Sequence, residues 1–171
     1  TSANGNIDDG VSFADICYAS NPSYTYVPDD NFEQALIDLG YDDTLDDYVL
    51  TANISGVTSL NVNDKSISDL TGIEGFTALT SLECCCNLLA SLDVSNNTAL
   101  TQLHPDQNQL TSLDVSANTA LEGLNLDGNE LTSLDVSNNT ALTQLHCRFN
   151  QLTSLDVSAN TALTNLDCYD N

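Results

Sequence analysis

The sequence predicts a solenoid: stacked coils with a parallel β-sheet along one face, irregular or short 3-10 and extended segments on the other, and a short α-helical cap at the N-terminal end. Three observations predict it. The stretch from Leu89 to His104 recurs from Leu110, Leu131 and Leu152, a period of 21 residues, and a fixed period of this size is the signature of a stacked repeat. Within each copy an x-Leu-x-[Cys/Leu] segment alternates with period two, as a short strand does, and an Asn then turns the chain out of it. Upstream, residues 28–40 place Phe32, Ala35, Leu36 and Leu39 at helical spacing, with acids in the first turn and Gly40 as a stop.

The apolar skeleton, followed from Leu142 through Leu145, Cys147, Asn150, Leu152, Leu155 and Val157 to Leu163, is the leucine-rich-repeat pattern. The inward residues of one coil cannot offset the entropy of ordering 21 residues, so a coil is stable only when stacked on another. Asn87, Asn108, Asn129, Asn150 and Asn171 fall in one column, where their amides can satisfy backbone groups of the neighbouring coil. Ahead of the regular copies the pattern is degenerate but legible at Ile54, Val57, Leu60, Val62, Ile67, Leu70, Ile73, Leu79, Leu82 and Cys84, with one coil of 22 residues. The chain divides into a leader or linker (1–23), a helical cap (24–53) and the repeats (54–171).

Two basic residues against 25 acidic ones give a formal charge of −23, which repels nucleic acid and anionic membrane surfaces. No apolar run is long enough to span a bilayer, so no membrane insertion is expected. Cys84, Cys147 and Cys168 occupy one inward position of the repeat, interrupted by Pro105 and Leu126, and are expected as buried small hydrophobes. Zinc spacings of the Cys-x-x-Cys type are absent. Cys17 with Cys85 or Cys86 offers a disulfide from the leader to that cluster.

The 21-residue unit with its inward Cys and the string Leu-Thr-Ser-Leu-Asp-Val-Ser-x-Asn-Thr-Ala-Leu resembles the cysteine-containing repeats of internalin J-like proteins. The segment from Tyr24 to Asp42, with Ile67 to Glu74 after it, looks like the cap of secreted Bacteroidetes leucine-rich-repeat proteins. The resemblance covers roughly residues 24–171. It implies an exported protein, extracellular or at the cell surface on the outer-membrane side, commonly a multidomain adhesin, and supplies no catalytic residues.

Positions that differ among otherwise near-identical copies are the ones free to face a partner. They cluster just after the strand leucine, and the candidate ligand-binding residues are Glu83, His104, Asp106, Asn125, Asp127, His146, Arg148, Phe149, Asp167 and Tyr169. Aromatic and Arg side chains on a rigid face are what interfaces use as anchors. No Ser-His-Asp set can be assembled in a water-excluding pocket, so the expected function is non-enzymatic recognition of a protein or carbohydrate. The alternative is a structural spacer or assembly segment of a larger adhesin, with flanking domains or subunits packing on the C-terminal coil. No cofactor is required. Calcium is the one candidate ion, with Asp42, Asp43, Asp46 and Asp47 as the local carboxylate cluster and the column Asp93, Asp114, Asp135, Asp156 as a weaker ladder.

Overall fold

The computed structural model describes residues 23–171; the leader and Cys17 lie outside the described residues. Strand β1 (Tyr24–Tyr26) pairs antiparallel with β2 (Tyr48–Leu50), Thr25 opposite Val49, and helix α1 (Asp30–Asp38) lies between them in the chain. A single helical turn, α2 (Thr51–Ile54), leads into β3 (Ser59–Asn61). From there β4 (Ser81–Glu83), β5 (Gln102–His104), β6 (Gly123–Asn125), β7 (Gln144–His146) and β8 (Asn165–Asp167) add in chain order to a six-stranded parallel sheet. Strand leucines align across it: Leu60, Leu82, Leu103, Leu124, Leu145 and Leu166 are register partners. The solenoid expected from the repeat is therefore the architecture found.

Each coil leaves its strand through a left-handed residue: Asp64, Cys86, Gln107, Gly128, Phe149 and Asp170 all have φ between 53° and 66°. That conformation costs a non-glycine residue about 1–2 kcal/mol, and the Asn column secures it. Asn108, for example, donates from Nδ2 to the carbonyls of Pro105 and Asp106 in its own coil and of Cys84 in the coil before, while its Oδ1 accepts the Leu89 N–H. Asn87, Asn129 and Asn150 bridge coils in the same way.

On the opposite side of each coil runs a second ladder that the column of turn asparagines did not announce. Asn97, Asn118, Asn139 and Asn160 are buried, and each Nδ2 donates to two carbonyls of the preceding coil, as Asn118 does to Val94 and Asn97 at 3.0 Å each. The position one coil earlier is Phe76, fully buried against Phe32 of α1 with ring centroids 6.4 Å apart. An aromatic stands there because the neighbour on that side is the apolar face of the cap helix and offers no carbonyls to bind.

The extra residue of the 22-residue coil lies between Leu70 and Ile73, at Gly72. Its φ is 107°, and a Cβ there would stand 2.8 Å from the Tyr26 carbonyl oxygen and from Val27 Cγ2. The chain widens by one residue where it passes under the cap, and only glycine fits. Phe32, Ala35 and Leu36 of α1 are buried as expected. Leu39 is 46% exposed, because the helix stops at Asp38 and Gly40, at φ 80°, turns the chain away. Asp29 caps the helix by accepting the Asn31 and Phe32 N–H groups, and its other oxygen accepts the N–H groups of Ser68 and Asp69 and the Ser68 hydroxyl.

Two outcomes are expected. Asn118→Ala removes one donor from each of two buried carbonyls, Val94 and Asn97, which keep the N–H groups of Asn97 and Leu100. Two lost hydrogen bonds at about 0.5–1.5 kcal/mol each should appear in denaturant melts as a loss of roughly 1–3 kcal/mol. Burial works to raise the Asp29 carboxyl, but the bonds from Ser68, Phe32 and Asp69 outweigh it and hold it below its ordinary range. A group depressed in the folded state contributes stability above its unfolded pKa and loses it as the pH falls through the folded one. The deficit of Asp29→Ala, about 1–2 kcal/mol at neutral pH, should therefore shrink below about pH 4 in a pH series of melts.

Candidate functional site

The third residue of each strand and the residue two positions on face outward, giving the columns Glu83, His104, Asn125, His146, Asp167 and Cys85, Asp106, Asp127, Arg148, Tyr169. Five of the ten predicted residues are gathered into one cluster over β6 to β8. Asp127 is nearly fully buried and is bracketed by Arg148, whose backbone N–H donates to Oδ1 and whose Nε donates to Oδ2, both at 2.7 Å. Arg148 Nη2 completes the pair at 2.5 Å, and Nη1 reaches Asp167 at 3.6 Å. Nη1 also donates to Tyr169 Oη at 3.0 Å, with the guanidinium 5.4 Å from that ring's centre. Phe149 and Tyr169 meet edge to face at 5.6 Å, and each is 51% exposed. Hydrogen bonds to Asp127 and then Tyr169 push the guanidinium further above its ordinary range, so it is a permanent cation.

The remaining predicted residues stand apart from this cluster. His146 shares a hydrogen bond with Asn165 Nδ2 at 3.0 Å. His104 is in the same column but two strands away, about 10 Å, with Asn125 between them, so the two histidines form no common site. Asn125 accepts the Asp127 N–H. Glu83 is held by Asn61 and Asn63 of the preceding coil. Burial pushes the Asp106 carboxyl up, against the pull of its own N–H and of His104, with Asp127 and Glu83 adding to the rise.

The four acids of the cap loop do not form the single cluster expected of them. Asp42, Asp43 and Asp46 line a recess of about 370 Å³ with Tyr24, Tyr41, Tyr48 and Asn53. Asp47 faces the other way, toward Asp30 and Glu33. Glu33 causes the split: its Oε1 accepts the N–H groups of Asp46 and Tyr48 on either side of Asp47, which adopts φ 68°. Asp30 and Glu33 share a helix face at i and i+3, a signal present in the sequence; the arrival of Asp47 beside them is not. In the other acidic column, Asp93, Asp114, Asp135 and Asp156 each accept the N–H of the serine two residues on at 2.8–2.9 Å. That N–H and the serine hydroxyl, the hydroxyl foremost at Asp114, hold these carboxyls below their usual range.

Cys84 and Cys147 are buried as expected, whereas Cys168 is exposed rather than buried. Burial pushes the Cys147 thiol up to about 12 and the Cys84 thiol higher still, which keeps both protonated and unreactive. The sulfurs of the adjacent Cys85 and Cys86 are in contact, and the disulfide expected from Cys17 involves a residue outside the described ones.

Residues 55–171 match the family described as the Endo-beta-N-acetylglucosaminidase EndoS LRR domain. Internalin J of Listeria monocytogenes serotype 4b is 46% identical over 72 residues, which is 42% of this chain and 8% of that protein. The solved functional domain of internalin J from Listeria monocytogenes, described as including a cysteine ladder, superposes with a TM-score of 0.81 at 44% identity, over 88% of this chain and 34% of that one. An internalin F from the same species gives a TM-score of 0.73 at 24% identity, over 84% of this chain and 44% of that one. The chain thus spans less than half the length of these relatives. This chain's own cysteine column, buried at Cys84 and Cys147, is interrupted at Pro105 and Leu126, both buried.

Removing one partner of a buried pair leaves the other charge unmatched. Arg148→Leu should therefore lower the melting temperature, and adding Asp127→Asn in that background should raise it again; thermal melts of the two variants read the sign directly.

Proposed function

We propose, from the premise that this chain belongs to the family of the EndoS LRR domain, that it is a non-enzymatic binding module of an exported or cell-surface protein, and that it engages a protein partner through the C-terminal part of its sheet face. The observation that carries this reading is the cluster at Arg148. The chain's one arginine and two half-exposed aromatics, the residue types that dominate interface energetics, are held in fixed geometry by a buried carboxylate and by each other. Ordering long side chains on association costs about 0.5–1.5 kcal/mol apiece, and side chains already locked avoid most of it.

Charge supports the same reading. A surface with a formal charge of −23 attracts a basic partner and raises its association rate, while one cation ringed by Asp127, Asp167 and Tyr169 gives a local contrast that fixes register. A glycan is the second ligand class for the same strip, since Tyr169, Phe149 and the neighbouring acids can stack on and hydrogen-bond a sugar. The chemistry of the strip supports binding: its histidines lie apart, and the buried Cys84 and Cys147 thiols stay protonated. Among the described residues no helix is long and apolar enough to cross a membrane.

Protein and glycan arrays probed in parallel with the chain and with the Arg148→Ala, Phe149→Ala, Tyr169→Ala triple variant test the assignment. A partner of the proposed kind should lose at least about 30-fold in affinity, the equivalent of one strong anchor of about 2 kcal/mol. Partners bound equally by both proteins would remove the strip from the function.

A further inference from the structure

At the start of α1 three acidic side chains from two separate stretches converge. Asp30 and Glu33 are one helical turn apart, and Asp47 arrives from the loop before β2, so that one carboxylate oxygen of each lies within 4.8 Å of the others. Glu33 is fully buried. Its Oε1 is used twice, by the N–H groups of Asp46 at 2.9 Å and Tyr48 at 3.2 Å. Its Oε2 is buried, with no hydrogen-bond donor among the described residues.

A buried carboxylate oxygen with no donor is costly, and two more carboxylates beside it raise the cost. The protein's own basic side chains do not relieve it: Lys65 is paired with Asp38, and Arg148 with Asp127 and Asp167. The free N–H groups of the first helical turn offset part of the charge, yet two of them are already taken by Asp29. The loop is also built to hold Asp47 where it is. The amides on both sides of it are bound to Glu33, and its carbonyl accepts the Val27 N–H at 2.8 Å.

We propose that Asp30, Glu33 and Asp47 form a binding site for a divalent cation of the calcium class, with Glu33 Oε2 as its buried ligand. The donor set is all oxygen, which selects a hard cation. Calcium takes its oxygens at about 2.3–2.6 Å, so ligands on opposite sides of the ion stand about 4.6–5.2 Å apart, and three oxygens within 4.8 Å can share one ion without a shift of the backbone. Water completes the shell on the side where Asp30 and Asp47 are exposed. The ion would tie the first turn of α1 to the loop before β2, and so fasten the cap whose Phe32 closes the first coil over Phe76.

Calcium titration of the chelator-treated chain, followed by calorimetry and by thermal melting, tests the site. The expected result is saturable binding at one site with Kd of about 0.1–1 mM, and a melting temperature a few degrees higher at about tenfold excess over Kd. Asp30→Asn and Asp47→Asn, both at exposed positions, should each weaken binding at least about tenfold, with the melting temperature in chelator kept or raised. Glu33→Gln retains an amide oxygen for the Asp46 and Tyr48 N–H groups and should abolish the calcium response. Asp43→Asn, in the neighbouring recess, should leave it unchanged. A melting temperature indifferent to about 10 mM calcium, binding that survives Asp30→Asn with Asp47→Asn, or binding lost in Asp43→Asn, each overturns the proposal.

Discussion

The constraint on which the whole architecture rests is that a coil cannot satisfy its own backbone. Strand segments of three residues, turned by left-handed residues and followed by extended stretches, leave carbonyls facing neither water nor a regular ladder partner. Buried peptide groups must be paired, and here the pairing comes from side-chain amides of the next coil. Two asparagine columns contribute on opposite sides of the stack: the turn column supplies the donors to carbonyls such as Cys84 and Leu126, and the second column adds a donor from the next coil to carbonyls that already accept a turn N–H, as Val94 does from Asn97. Every coil is therefore completed by its successor, and stability is shared between neighbours.

The same rigidity shapes the recognition surface. Parallel strands in strict register put the outward residue of each coil at a fixed spacing from its neighbours, so one substitution per coil writes a linear array of side chains. Half of that array is acidic or amide-bearing. At Arg148 it changes character, because a buried Asp127 in the preceding coil and Tyr169 in the following one give the guanidinium three kinds of contact at once. Few rotamers satisfy all of them, so the aromatic edge beside it is presented in one conformation. The left-handed backbone at Phe149 belongs to the same turn that the Asn150 amide closes, so scaffold and display are made by adjacent residues.

The N-terminal end solves a different problem, since the first coil has no predecessor of its own kind. Phe76 stands in place of the ladder asparagine, Gly72 lets the backbone pass close under Tyr26 and Val27, and Asp29 ties the helix start to Ser68 and Asp69. An amide ladder gives way to aromatic packing at the point where the neighbour changes from a coil to a helix face.

The sequence alone determined the solenoid, because a 21-residue period with inward leucines has one way to bury them, and it located the cap helix, the turn asparagines and the variable strip that contains the Arg148 cluster. It also carried Asn97, Asn118, Asn139 and Asn160 in every copy, yet a conserved spacing between copies does not say whether an amide points inward or out. Tertiary structure decided what depended on distance between chain-remote atoms. It joined Arg148 to Asp127 and Tyr169 while holding His104 away from His146, left Leu39 in solvent, and divided the acids of the cap loop, sending Asp47 to Asp30 and Glu33. The physical reason is that periodicity fixes which residues share a face. Which charges meet is set by backbone hydrogen bonds such as those of Glu33 to Asp46 and Tyr48, and those exist only once the cap has folded over the first coil.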